Sequence, residues 1–105
     1  MIADANFHVW LETNTNTKPS IVIPYVQSSE DKRIHYRLRA TKSGRSGTSD
    51  VSQSGTVNIQ AKRPTALSKM SISANKSDTC QIELTLAESG ATVGSYHFDC
   101  PRQEE

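Results

Sequence analysis

The chain has 105 residues, of which 34% are apolar, and a formal net charge of only +1. This length suits one domain with a modest core, and the low charge argues against intrinsic disorder, which pairs low hydrophobicity with high net charge. No apolar run is long enough to cross a bilayer, and the start lacks the basic and apolar regions of a signal peptide. We expect a mature, single domain over residues 1–105, with an ordered core at about 6–101.

Short segments that alternate apolar and polar residues recur along the chain, and no window repeats apolar residues at helical spacing. In chain order, the predicted strands lie near 7–12, 21–26, 33–40, 55–61, 66–74, 79–87 and 92–99. Pro24 predicts that the second strand is an edge or is bulged. The Gly- and Ser-rich residues 42–54 predict a long loop, with a short strand near Val51 as an option, and 75–78 predict a turn.

About seven short strands with turn signals roughly every ten residues are typical of one fold class. We therefore predict an all-β fold, an immunoglobulin-like antiparallel β-sandwich. Periodicity alone leaves a small barrel open as the alternative.

The last predicted hairpin carries both cysteines, Cys80 and Cys100. If it turns through a three-residue loop at 89–91, opposed residues have numbers that sum to 180, and one register buries all the large apolar groups. That register places the two cysteines opposite each other, at a distance that suits a disulfide. We predict a structural disulfide worth roughly 3 kcal/mol, the alternatives being a redox pair or two buried thiols.

Three residues near the C-terminus raise the question of catalysis: His97, Asp99 and Cys100. On a strand, the first two point to one side and Cys100 to the other, so the three cannot form a catalytic triad. The sequence has no Gly-rich phosphate loop, no carboxylate pair and no cluster with metal-ligand spacing. We predict a protein that is not an enzyme, with no catalytic residue, no metal site and no cofactor.

The near-neutral total conceals a segregation of charge. Between Lys32 and Lys76 ten residues are basic and only Asp50 is acidic, and three of the arginines share one face of one predicted strand. A solvated outer face is one interpretation, and an acidic protein partner is the other. Nucleic acid fits less well, because the pI is only about 7.8. The predicted partner-binding residues are Arg33, His35, Arg37, Arg39, Lys42 and Lys69.

Two stretches of the sequence resemble a known family. Residues 63–73 (RPTALSKMSIS), followed by a turn and QIELTL at 81–86, are similar to the CsgC-like curli proteins, especially the CsgH branch, and the similarity runs from Phe7 to about Pro101. The resemblance implies an immunoglobulin-like fold, a periplasmic location and a chaperone that blocks amyloid formation by the curli fibre subunit through a positively charged face. On this basis we expect a monomer whose partner is that subunit, without nucleic acid or membrane.

The resemblance has one departure. Proteins of the CsgC branch carry a Cys-x-Cys on the strand that here contains Ile34 and Tyr36, so a redox role is not carried over. The alternative function is an adhesive or carbohydrate-binding module on the same scaffold. A sugar site needs aromatic platforms, and the pattern assigns most aromatic residues, Tyr25 among them, to the core, with Trp10 as the exception.

Overall fold

Eight strands make up the regular structure of the computed structural model, which describes residues 7–16, 19–45, 47–74 and 77–101. They are β1 (Phe7–Asn14), β2 (Ser20–Ser28), β3 (Lys32–Gly44), β4 (Gly47–Ile59), β5 (Thr65–Ala66), β6 (Met70–Ile72), β7 (Thr79–Glu88) and β8 (Ala91–Asp99). One sheet has the order β1-β2-β5, with β6 also paired to β2, and the second has the order β4-β3-β7-β8. The two antiparallel sheets confirm the predicted immunoglobulin-like sandwich.

The core lies between the sheets and is built from alternate residues of each strand. β7 contributes buried side chains at every second position, including Ile82 and Leu84, and the inward positions of β3 alternate between completely buried residues, Ile34 and Leu38, and partly buried ones. The period of two in the sequence therefore becomes one buried and one exposed face for the larger sheet. All odd-numbered residues of β3 from Arg33 to Arg39 are exposed on its outer side.

The β7–β8 hairpin has the predicted register over most of its length. Ile82 pairs with Phe98, Leu84 with Tyr96 and Leu86 with Gly94. The predicted three-residue loop is wrong, because Glu88 pairs with Ala91 and leaves a two-residue turn. A register shift between Leu86 and Ala87 restores the predicted pairing beyond the turn.

The two-residue turn has a conformational reason. Ser89 and Gly90 both have positive φ, 53° and 83°, as in the type I′ turns whose twist matches that of the flanking strands. The bulge then supplies the one-residue offset that keeps the apolar groups on the core side. Turn geometry and apolar pattern are thus satisfied together.

The loop predicted at residues 42–54 is also wrong. β3 continues to Gly44 and β4 begins at Gly47, so this segment forms the distal half of a long hairpin with 13 consecutive paired positions. It contains almost no apolar residues, because here the sheet extends beyond the core. Backbone pairing between β3 and β4 holds the segment extended without burial of one face. Its sequence therefore shows no alternation of apolar and polar residues.

Pro24 lies in the interior of its sheet, between β1 and the β5 and β6 strands, and its pairing with Leu11 continues the register of β1 and β2 without a shift, so it lies neither on an edge nor at a bulge as predicted. β5 pairs with Tyr25 and Val26, and β6 pairs with residues 20–22, so the single strand predicted at 66–74 is interrupted opposite the proline. The Pro24 carbonyl accepts a hydrogen bond from Leu67 N, 2.9 Å away, at this interruption. The backbone nitrogen of Pro24, which carries no hydrogen, points to the same side of β2 as its carbonyl. Because β5 and β6 are interrupted there, the proline removes no hydrogen bond from a regular ladder. Of the turn predicted at 75–78, residues 75 and 76 lie outside the described ranges.

Candidate interaction surface

The outer side of β3 carries a row of cationic and imidazole side chains. Arg33, His35, Arg37 and Arg39 are all exposed and point away from the core, because each is separated from the next by a residue that packs inward. We call these four residues the basic face. Alternate residues of a strand lie about 6.6 Å apart, so the row spans about 20 Å.

The residues that pair directly with Arg37 are uncharged. It pairs with Ser54 on β4 and with Thr85 on β7, and Thr85 pairs in turn with Ser95 on β8. Arg33 lies beside Asn58. Among the described residues, neither arginine makes an ion pair within 4.0 Å, and the positive charge of this part of the face is therefore open to solvent.

Arg39 has a different environment. Its Nε and one terminal nitrogen donate hydrogen bonds to the two carboxylate oxygens of Asp50, at 3.0 and 2.6 Å. The hydrogen bond and charge of Arg39 hold the pKa of the Asp50 carboxyl below its usual value, and Asp50 raises the pKa of the Arg39 guanidinium. Glu83 lies opposite Arg39 on β7. The charge of Arg39 is therefore largely compensated within the chain.

The ion pair between Asp50 and Arg39 was not predicted from the sequence. Asp50 lies in the segment predicted as a loop, and the pair forms only because the β3–β4 hairpin places Asp50 opposite Thr41, one step diagonally from Arg39. The available signal was the Gly44 to Gly47 turn, which centres the hairpin and sets this register.

The structure does not bring all six predicted partner-binding residues together. Lys42 has the parity of the inward-facing residues of β3, and its Nζ donates a 2.5 Å hydrogen bond to the carbonyl oxygen of Ser73, beyond β6. Lys69 is exposed in the connection between β5 and β6, in the smaller sheet. Only the four residues of the basic face form one contiguous surface.

The two histidines of this sheet interact with polar neighbours. His35 Nδ1 lies 2.7 Å from the Thr56 hydroxyl across the β3–β4 pair. Near the opposite edge of the sheet, across the β7–β8 pair, His97 Nε2 lies 3.6 Å from a Glu83 carboxylate oxygen.

The predicted disulfide between Cys80 and Cys100 is confirmed. The Cα atoms are 5.5 Å apart, and both residues are almost completely buried. The bond removes the Cys100 thiol as a nucleophile. Among the described residues, no group of three or more His, Cys, Asp or Glu side chains could hold a metal ion.

The outer face of the smaller sheet carries an aromatic cluster. Tyr25 pairs with Trp10 across β1 and β2, and their rings stack with centroids 5.6 Å apart and planes inclined by 7°. His8 contacts Trp10 from the next outward position of β1, at 5.4 Å. The assignment of Tyr25 to the core is therefore wrong, because on β2 the even-numbered residues are the buried ones. Within the described ranges, no helix has the length and apolarity to cross a bilayer.

Comparison with known proteins agrees with this architecture. The structure of the E. coli curli protein CsgC superimposes with a TM-score of 0.77 over 88% of this chain and 97% of that one, at 22% sequence identity. R. palustris CsgH gives a TM-score of 0.70 over 89% of this chain and 91% of its own, at 16% identity. No curated protein sequence matches significantly.

At these identities, the two structural matches establish a shared fold. The sequence itself supplies the family, since the model described as thin aggregative fimbriae synthesis protein, Tafi-CsgC, matches residues 1–97. That match covers β1 to β7 and most of β8. The chain belongs to the Tafi-CsgC family of curli-associated proteins.

Proposed function

We propose that this protein is a chaperone-like inhibitor that delays nucleation of the curli amyloid subunit and acts through its basic face. The observation that carries the proposal is the pair Arg33 and Arg37, two solvent-exposed cations on a paired central strand, in a protein of a curli-associated family. Among the described residues neither makes an ion pair within 4.0 Å, and Arg37 interacts with Asp50 only at longer range. An acidic segment of the target would supply the missing counter-charge.

The physical role of the basic face is to accelerate encounter. Complementary charges raise association rates and favour correctly signed partners, whereas exposed ion pairs add little equilibrium affinity. Rapid, weak association suits an inhibitor that must find a rare nucleus before it grows. The strands on both sides of β3 keep the cations in a fixed row.

We place this activity in the periplasm. The buried Cys80–Cys100 disulfide favours an oxidising compartment, where such bonds form and persist. We expect the active form to be a monomer whose partner is the curli subunit and not nucleic acid.

The test is fibre formation by a purified curli subunit, followed by thioflavin fluorescence with the protein at substoichiometric concentration. We expect wild type to lengthen the lag, and the variant with Arg33→Glu and Arg37→Glu to lose most of that effect. The matched control carries Lys62→Glu and Arg63→Glu, the same charge change at exposed residues between β4 and β5, and should inhibit like wild type. An equal loss in both variants would reject the basic face, and no delay by wild type would reject the function.

The aromatic cluster favours carbohydrate binding as a second candidate function. Trp10 and Tyr25 offer apolar ring surface, but each covers one ring face of the other. Trp10 is the only tryptophan in the chain, so its fluorescence reports directly on ligands at this cluster. Saturable fluorescence changes on titration with soluble oligosaccharides would support the carbohydrate module, and a flat response would eliminate it.

A further inference from the structure

β4 is an edge strand with unusual properties. It is 13 residues long and pairs only with β3, without a register shift. The other edges are shorter: β1 has 8 residues, β5 and β6 have 2 and 3, and β8 has 9 and contains a bulge. Within the described ranges, no backbone hydrogen bond from another element reaches the outer edge of β4.

Natural proteins protect long edges against pairing with other chains. They use lysines, prolines, bulges or inward-pointing charges, because an open edge presents a row of unpaired N–H and C=O groups. The sequence of β4, GTSDVSQSGTVNI, contains no lysine, arginine or proline. Its single charge is Asp50, which points outward and is bound to Arg39. The edge therefore keeps about 40 Å of backbone available for pairing.

The space beside this edge suits the side chains of an added strand. A cavity of about 300 Å³ opens between β4 and β6, and its lining includes Val51, Gln53, Met70, Ile72 and Cys80. Val51 points into this opening and is 50% exposed, the one large apolar side chain among the described residues with that exposure. A strand placed beside β4 would direct alternate side chains over the opening, where apolar ones would cover Val51.

The remaining side chains of an added strand would point to the outer side of the sheet, where the basic face lies. Neighbouring strands lie about 4.8 Å apart, so an added strand would lie about 10 Å from β3. Acidic side chains on its outer side would therefore lie at about one Debye length from Arg33 and Arg37, since that length is about 8 to 10 Å at ionic strengths of 0.15 to 0.1 M. Charge and shape thus specify the same occupant, an extended segment with acidic and apolar residues in alternation.

We infer that β4 captures such a segment of the amyloid-forming target by antiparallel or parallel strand addition, the mode in which backbone hydrogen bonds give affinity and side-chain pockets give selectivity. This inference rests on the proposed function and adds the mode of binding. Strand addition would occupy a pairing edge of the target, and so would block further growth at that edge.

The test uses a synthetic nine-residue peptide that alternates Val with Asp, and a control peptide of equal charge in which two of the Val residues are replaced by Pro. Amide hydrogen exchange of the intact protein is measured with each. We expect slower exchange in β4 with the first peptide only, and no change in β8. Protection elsewhere, equal effects of both peptides, or no protection would overturn the inference.

A pair of variants separates edge pairing from simple attraction. Val51→Lys places an ammonium group in the opening beside the edge, so an added strand would bury an unpaired charge. Ser95→Lys adds the same charge on the opposite edge strand, at an exposed position. Strand addition predicts that Val51→Lys weakens binding of the peptide by about tenfold or more, while Ser95→Lys binds like wild type.

Attraction alone predicts that neither lysine weakens binding, and that result would overturn strand addition while leaving inhibition through the basic face intact. Thermal unfolding of both variants checks that the fold is retained. Concentration-dependent protection of β4 without peptide would identify a second copy of this chain as the occupant, and this too would overturn the inference.

Discussion

Arg37 and Arg39 are two positions apart on one strand, yet their environments differ. Arg37 lies between Ser54 on β4 and Thr85 on β7, whereas Arg39 is bound through two hydrogen bonds to Asp50. The sequence shows both as members of one basic row. Only the register of β4 distinguishes the compensated charge from the open one.

This difference predicts that one substitution, at Asp50, strengthens the inhibition of fibre formation. Asp50→Asn removes the ion-pair partner of Arg39 while keeping a similar shape, so Arg39 retains only Glu83 as an acidic neighbour and the basic face becomes more positive. We expect a longer fibre lag at equal protein concentration, together with a small change in stability because both partners are about half exposed.

The measurement is again thioflavin fluorescence with a curli subunit. Glu30→Gln, which removes a negative charge at an exposed position outside the strands, is the matched control and should have little effect. If both variants lengthen the lag equally, net charge and not the basic face controls inhibition.

At the scale of elements, the sequence predicted most accurately those strands whose two faces differ from each other in polarity. The register of the β7–β8 hairpin followed from the alternation of Ile82, Leu84 and Leu86 with polar residues, and the cysteine pairing followed from it. The basic face followed equally from the alternation in β3. These patterns are local and depend on burial of one face.

Other elements were missed because their structure depends on distant partners. The distal half of β4 has little apolar surface and is held by β3, so no periodicity marks it as a strand. Pro24 is tolerated because β5 and β6 are separate strands, which the sequence of β2 does not encode. The ion pair between Asp50 and Arg39 was missed for the same reason, since it depends on the distal part of the β3–β4 hairpin.

The disulfide should stabilise its hairpin without taking part in inhibition. It lies in the core, whereas the basic face lies on the outer side of the same sheet. Replacing both residues, Cys80→Ala with Cys100→Ala, removes a cross-link that closes a 20-residue separation, and we expect a loss of about 3 kcal/mol in the free energy of unfolding.

Denaturant unfolding measures that loss, and the fibre assay is run at a temperature where the variant remains folded. Inhibition equal to wild type is the expected result. A variant that is folded but inactive would assign the disulfide a direct role in function.

At the scale of the whole molecule, the electrostatic field around the protein depends on where its charges lie more than on its net charge. The formal net charge is +1, so little attraction acts at long range. Ten bases lie between Lys32 and Lys76, while most acids lie in the flanking segments. Steering must therefore act close to the basic face, over about the Debye length.

The aromatic cluster of Trp10 and Tyr25 lies on the other sheet, on the opposite side of the sandwich from the basic face. The molecule thus presents two chemically different surfaces. Inhibition through the basic face should leave the environment of Trp10 unchanged, whereas a ligand of the smaller sheet should alter it.

The salt dependence of inhibition tests the central claim most directly. The Debye length falls from about 30 Å at 0.01 M to about 3 Å at 1 M ionic strength, and the lag of the curli subunit with the protein is divided by the lag of the subunit alone at each salt concentration. We predict that this ratio is large for wild type at low salt and falls towards one at high salt, while the variant with Arg33→Glu and Arg37→Glu stays near one at both. A wild-type ratio that does not change with salt would contradict the account.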